Sequence, residues 1–275
     1  MATMVLSSLG AKITKAENLD IGADPFQDNK YLEHAPHFKD WYDQLNKDKN
    51  ILQFSFSQEQ VKLEELLIES QIILLPDVKY FDDLLKKLNL KNKAIIKLSG
   101  GKGEWKSLHD LNALALTKSF YFHYKENSLP PYLPFAGIGY AQYLATACLG
   151  ILRRVERTNE THTEVIYLKE VTEYILDALH SEQVTSPNRF LHNGAFPCYQ
   201  IFRTQDDKAI CLAAVEEKYW RNFVKTFNLD LNDEQRFDSS GKTTEILENM
   251  FAKLTSDEIR HMTKNTELCL TVTTN

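Results

Sequence analysis

Residues Ile95–Leu116, IIKLSGGKGEWKSLHDLNALAL, decide how the chain is read. The apolar run from Ala94 to Leu98 fits a short buried strand. Ser99, Gly100, Gly101 and Gly103 fit a tight loop, and Leu108-His109-Asp110-Leu111-Asn112 fits a helix start. A strand feeding a glycine loop feeding a helix is where open α/β sheets hold ligands. Glycines let backbone N–H groups come close to an anion. His109, just past them, is of a type that serves as acid or base near neutral pH. A lone histidine at a helix start more often bonds a neighbouring carbonyl, and SGGKG is neither GxGxxG nor a P-loop. The adjoining glycine loop is what makes His109 a candidate.

Upstream of that stretch, strands and helices alternate. Met1–Leu9 is apolar at helical spacing and stops at Gly10, and Ala11–Ala16 alternates like a strand. Asn18–Lys49 is polar and aromatic, with Pro25 and Pro36, and reads as a surface excursion. Ile51–Phe56 reads as a strand, and Glu59–Ser70 as a helix capped by Ser57 with Gln60 in a capping-box position. Ile72–Leu75 is a strand and Val78–Leu88 an amphipathic helix. This alternation over Lys12–Ala115 predicts a parallel sheet with helices on its faces. Yet the chain opens on a helix, where a doubly wound sheet normally opens on a strand.

Downstream, Leu129–Pro134 (LPPYLP) breaks the pattern and predicts a linker. Gly139–Arg157 follows as one long apolar helix, Thr163–Leu168 as a strand and Glu170–Ser181 as a helix. Tyr199–Thr204 and Lys208–Val215 flank a turn at Gln205-Asp206-Asp207, an antiparallel hairpin. Helices are predicted over Glu216–Phe227, Thr243–Lys253 and Ser256–Met262. The expected domains are residues 1–128, a Rossmann-like large domain, and residues 186–275, a smaller α+β domain. Residues 129–185 join them as linker, long helix, strand and helix.

Composition is that of a globular chain of 275 residues, 43% hydrophobic and 25% charged. The net charge of −6 argues against a nucleic-acid binder while leaving room for a small anionic ligand. The four cysteines (Cys148, Cys198, Cys211, Cys269) form no CxxC pair and read as reduced thiols. The longest apolar run, Tyr140–Leu152, is too short to span a bilayer, and the N-terminus carries no signal-peptide pattern. A cytoplasmic location without membrane attachment is the expectation. His162, His180 and His192 fall on different elements without HExxH, which argues against a metal.

Glu216 stands where strand gives way to helix, a place where a carboxylate commonly serves only the helix dipole. Its catalytic reading requires that it face His109 across a cleft. Lys47, Lys49, Lys97 and Lys102 are of the type that neutralises phosphates, although surface lysines are usually just solvated.

Six segments together carry a resemblance: ATMVLSSLGAKITKAE (Ala2–Glu17), LNKDKNILQFSF (Leu45–Phe56), LSGGKGEWKSLHDLNALAL (Leu98–Leu116), RTNETHTEVIYLKE (Arg157–Glu170), NGAFPCYQIFRTQDDKAICLAAVEEKYWRNF (Asn193–Phe223) and FAKLTSDEIRHMTKNTELCLTV (Phe251–Val272). In this order they resemble the family III CoA-transferases of the CaiB/BaiF type, which include the α-methylacyl-CoA racemases. The third and fifth segments are the most specific. The resemblance implies a Rossmann-like domain with a smaller one, and two chains threaded into an interlocked homodimer. It implies acyl-CoA as substrate or ligand, with no permanently bound cofactor and no metal. Lys49, Ser99, Gly100, Gly101 and Lys102 are implied on the CoA, with His109 and Glu216 catalytic.

The chain departs from that family at the aspartate, which serves as base in the racemases and as nucleophile in the transferases. The aligned stretch is PFAGIGYAQYLATA, and Gly139, or Tyr140 with a one-residue gap, stands in its place. Neither does that chemistry. Gln142 and Tyr143 replace the glycines that follow, Asn159-Glu160-Thr161 replaces a glycine turn, and Asn50 replaces an arginine. The family's first strand and final tail have no counterpart. CoA transfer or 2-methylacyl-CoA epimerisation is therefore expected to be weak or lost, unless an acid such as Glu126 or Glu156 takes over. The alternative is a non-catalytic CoA-binding or partner-binding subunit.

Overall fold

The strand quoted first, β4 (Ala94–Ser99), lies in the middle of a three-stranded sheet, between β3 (Ile72–Pro76) and β5 (His162–Tyr167). Both pairings are parallel, with Ile96 opposite Leu74 on one side and Glu164 on the other. The computed structural model describes the whole chain except residues 23, 25, 28–36, 118–119, 121–128, 132, 178–190 and 274–275. It divides into two compact units, Met1–His180 and Ser181–Asn275.

In the first unit the elements run α1 (Ala2–Ser8), β1 (Ile13–Asn18), α2 (His37–Asn46), β2 (Lys49–Phe54), α3 (Gln60–Glu69), β3, α4 (Lys79–Leu88), β4, α5 (Asp110–Ala115), α6 (Phe135–Thr158), β5 and α7 (Leu168–Asp177). The near-continuous apolar runs of β3 and β4 follow from burial on both faces. Successive side chains alternate between two cores. Ala94 and Ile96 enter one with Leu6 of α1 and Leu144, Cys148 and Ile151 of α6. Ile95 and Ile73 enter the other with Leu63 and Leu67 of α3 and Phe81 and Leu84 of α4. Fully burying each such isoleucine contributes about 1.5–3 kcal/mol.

The expected parallel sheet is present in two pieces. β1 and β2 pair parallel, in register from Ile13–Lys49 to Asn18–Phe54, as a sheet of their own. Ile13 belongs to the first core, and Ala16 and Phe54 to the second, so both pieces are covered by the same two layers.

Four local expectations are corrected. The region read as a surface excursion contains α2, held by a buried carboxylate: Glu17 accepts hydrogen bonds from Tyr42 Oη (2.7 Å) and Gln53 Nε2 (2.8 Å), and Lys15 pairs with it at 2.7 Å. Ser57 does not cap α3. That helix starts at Gln60 with Glu59 as its N-cap, and the Ser57 N–H donates to Asp20 instead. The long helix starts at Phe135, four residues earlier than expected, with Pro134 at its N-cap, outside the helix proper, where its missing N–H breaks no intrahelical bond. At 24 residues α6 is also longer than the apolar run Tyr140–Leu152, and by length and composition alone it could cross a membrane. Core helices pass the same test, and seven of its residues are buried among α1, α5, α7 and the sheet.

In the second unit, β6 (Tyr199–Arg203) and β7 (Ala209–Ala213) form the expected hairpin. β8 (Leu270–Val272) joins β7 antiparallel to complete the sheet. Helices α8 (Glu217–Thr226), α9 (Lys242–Phe251) and α10 (Ser256–Thr263) enclose a core containing Phe202, Ile210, Trp220, Phe223, Leu247, Phe251 and Ile259.

Candidate functional site

The loop leaving β4 is folded on itself. The Gly100 N–H donates to the Lys106 carbonyl at 3.1 Å, and the Gly100 carbonyl accepts from the Lys169 N–H at 2.9 Å. A Cβ at Gly100 would lie 2.6 Å from Leu108 N and from Lys106 O, so only glycine lets the returning backbone approach this closely. At Gly101 a Cβ would lie 2.6 Å from Trp105 Cβ. These glycines serve the packing of their own loop, and the Gly100 donor is already engaged there. Ser99 Oγ donates to the Gly101 carbonyl at 3.2 Å. Lys102 extends to the surface with its Nζ 5.3 Å from the Tyr167 ring centroid.

His109 is the N-cap of α5, with extended backbone, and its N–H donates to Asn112 Oδ1 at 3.1 Å. The imidazole is solvent-exposed. The loop that carries it is pinned at both ends by the first turns of α6. At the far end, the Asp110 carboxylate accepts the Gly137 N–H at 2.6 Å, which satisfies an otherwise orphan donor at the start of α6. At the near end, Tyr140 Oη donates to the Ile166 carbonyl at 2.6 Å and lies against the Ser99 N–H. Burial pushes the Tyr140 hydroxyl up to about 12, with the Ser99 N–H opposing, so the group keeps its proton and stays a donor.

The sequence reading missed both pins. Asp110 was named only as part of a helix start, and its partner lies 27 residues away in the chain. Nothing local points to the pairing.

The lysines separate by partner. Lys97 is held by Asp77 (2.5 Å) and Asp82 (2.8 Å), and hydrogen bonds to these carboxylates raise its pKa. Lys47 is exposed. Lys49, the first residue of β2, donates to Asn46 Oδ1 at 2.9 Å. Burial, and then the charge of Lys15, lower its pKa. Among the described residues neither Lys49 nor Lys102 has a carboxylate partner, and nothing bonds Lys49 to the Ser99–Lys102 loop.

Glu216 lies in the second unit as the exposed N-cap of α8, without a side-chain capping bond. Cys269 is close enough that, after burial, the charge of Glu216 raises its thiol pKa. Glu126 and His180 fall outside the described residues. Among the described residues no three His, Cys, Asp or Glu side chains converge to hold a metal.

The sequence model of CoA-transferase family III matches residues 1–274. The chain belongs to this family. A CaiB/baiF CoA-transferase family protein of Caenorhabditis elegans is 29% identical, over 82% of this chain and 72% of that protein. A CaiB/BaiF family protein of Brucella suis has the same fold, with a TM-score of 0.72 at 15% identity over 97% of this chain and 78% of its own. So does a hypothetical protein of Mycobacterium tuberculosis, with a TM-score of 0.69 at 20% identity over 99% of this chain and 78% of that one. Membership in CoA-transferase family III implies coenzyme A thioesters as the substrate class.

Proposed function

We propose that this family III chain binds acyl-CoA thioesters and turns them over weakly or not at all. In this reading Lys49 and Lys102 meet phosphate charge, and Ser99, Gly100 and Gly101 shape the wall of the CoA site. The His109 imidazole reaches the thioester end, and Glu216 acts as the second acid–base group.

The observation that carries the reading is the first turns of α6. No carboxylate is present at 139 or 140, where the resemblance puts the aspartate. A Cβ at Gly139 would lie 3.2 Å from Ile175 Cδ1, so that direction is filled by α7. The Tyr140 hydroxyl is a protonated donor tied to Ile166. Epimerisation at the carbon beside a thioester needs a base on one face and an acid on the other, and transfer needs a nucleophile to take the acyl group. Losing one such member costs several orders of magnitude in rate.

The second reading, a non-catalytic CoA-binding or partner-binding subunit, rests on the same absence. A homodimer of the interlocked kind and a cytoplasmic location belong to the proposal as well. The test combines α-proton exchange of a 2-methylacyl-CoA in heavy water, acyl transfer between CoA donors and acceptors, calorimetry with CoA, and a sizing column. CoA binding with rates barely above background is expected. Robust turnover in either assay refutes the loss of catalysis, and failure to bind CoA refutes the ligand.

A further inference from the structure

A groove of about 470 Å³ runs between α6, β5 and α7. Its floor is apolar, from Ala147 and Ile151, and three tyrosines wall it: Tyr143, Tyr167 and Tyr174. The rings of Tyr143 and Tyr174 stand edge to face, with centroids 6.4 Å apart. Tyr174 is 74% exposed, so its ring is open to a ligand.

One carboxylate of this groove has no partner. Glu170 lines it half-buried, its Oε2 is buried without a hydrogen-bond partner, and among the described residues its side chain makes no ion pair. The neighbouring charges are engaged elsewhere: Lys169 bonds Glu173 at 2.6 Å, and Glu164 pairs with Arg154 at 3.2 Å. A carboxylate that has lost water on one oxygen without gaining a donor is strained electrostatically, and native folds seldom keep such a group without use. A cation with N–H donors supplies what is missing, and aromatic faces around it add a cation–π attraction.

We infer that this groove is a binding site for a protonated alkylamine, whose ammonium donates to Glu170 while its chain lies on Ala147 and Ile151 between the tyrosines. Two sources carry that chemistry, a free amine and the side chain of a lysine. The inference goes beyond the acyl-CoA reading and does not depend on it.

The test is a calorimetric or NMR titration of the full chain with n-butylammonium, with n-butanol as the uncharged control and an end-blocked lysine peptide as the second source. Saturable binding of n-butylammonium is expected, about tenfold weaker in Glu170→Gln and several-fold weaker in Tyr174→Ala. Tighter binding of the peptide assigns a lysine side chain, and tighter binding of the free amine assigns a small molecule. Both outcomes support the site. Equal binding by n-butanol, unchanged binding in Glu170→Gln, or no saturation at tens of millimolar overturns it. Thermal melting gives a separate readout. Glu170→Gln is expected to melt at or above the parent temperature without ligand, and a clear loss would mean that the carboxylate is already satisfied within the fold.

Discussion

Gly100 and Gly150 look alike in the sequence and differ in what surrounds them. At Gly100 a methyl group meets rigid backbone at 2.6 Å, whereas at Gly150, on the exposed side of α6, it meets nothing within 4 Å. Gly100→Ala is expected to destabilise by about 1–3 kcal/mol in urea unfolding, and Gly150→Ala to stabilise by about 0.5–1 kcal/mol. Tyr140→Phe removes the donor to Ile166 and the acceptor facing the Ser99 N–H, and is expected to cost about 1–2 kcal/mol in the same measurement. What was legible at this level is position rather than role. His109 was placed at a helix start from its local sequence, and it is the N-cap of α5. The part played by the glycines was not legible, because pattern alone does not separate a loop open to an anion from one closed on its own carbonyls. The anchoring of Asp110 on Gly137 was hidden for another reason: it joins residues distant in the chain.

Helices and strands were recovered where apolar spacing spoke clearly, as in β3, α4 and β4. Helix α2 was lost among polar and proline residues, although Phe38, Trp41, Tyr42 and Leu45 follow a helical spacing that could have found it. The capping box read at Ser57 and Gln60 failed because the Asp20 carboxylate competes for that turn. A capping box does form at α10, where Thr255 and Glu258 satisfy each other. Asp206, in the β6–β7 turn, reinforces that helix start by accepting from Ser256 Oγ (2.6 Å) and Ser256 N–H (2.8 Å). Hydrogen bonds from the Ser256 side chain, then from Thr204 and the Ser256 backbone, hold the Asp206 carboxyl well below the usual carboxylate range. A depressed carboxyl stabilises the fold above its unfolded value, about 3.9, and ceases to as pH falls through the folded value. Urea midpoints are therefore expected to drop below about pH 4 in the parent protein, with a shallower drop in Asp206→Asn.

The two units are built on different plans, one a parallel sheet between helices, the other a short antiparallel sheet under three helices, and each has its own core. Phe251 is fully buried in the second, so Phe251→Ala is expected to cost about 3–5 kcal/mol. With Trp41 and Trp105 replaced by Phe, the remaining indole of Trp220 reports that loss as a lower urea midpoint in fluorescence. The parallel sheet was foreseen, but its division was not, because strand patterning says what a strand is made of and not which neighbour it finds. A sheet in two pieces has four borders where an undivided one has two, and each border is a row of peptide groups able to recruit another chain. Warming that loosens the packing around those rows should let molecules join edge to edge. Light scattering is then expected to rise before the helical dichroism falls, and to rise more steeply as protein concentration increases.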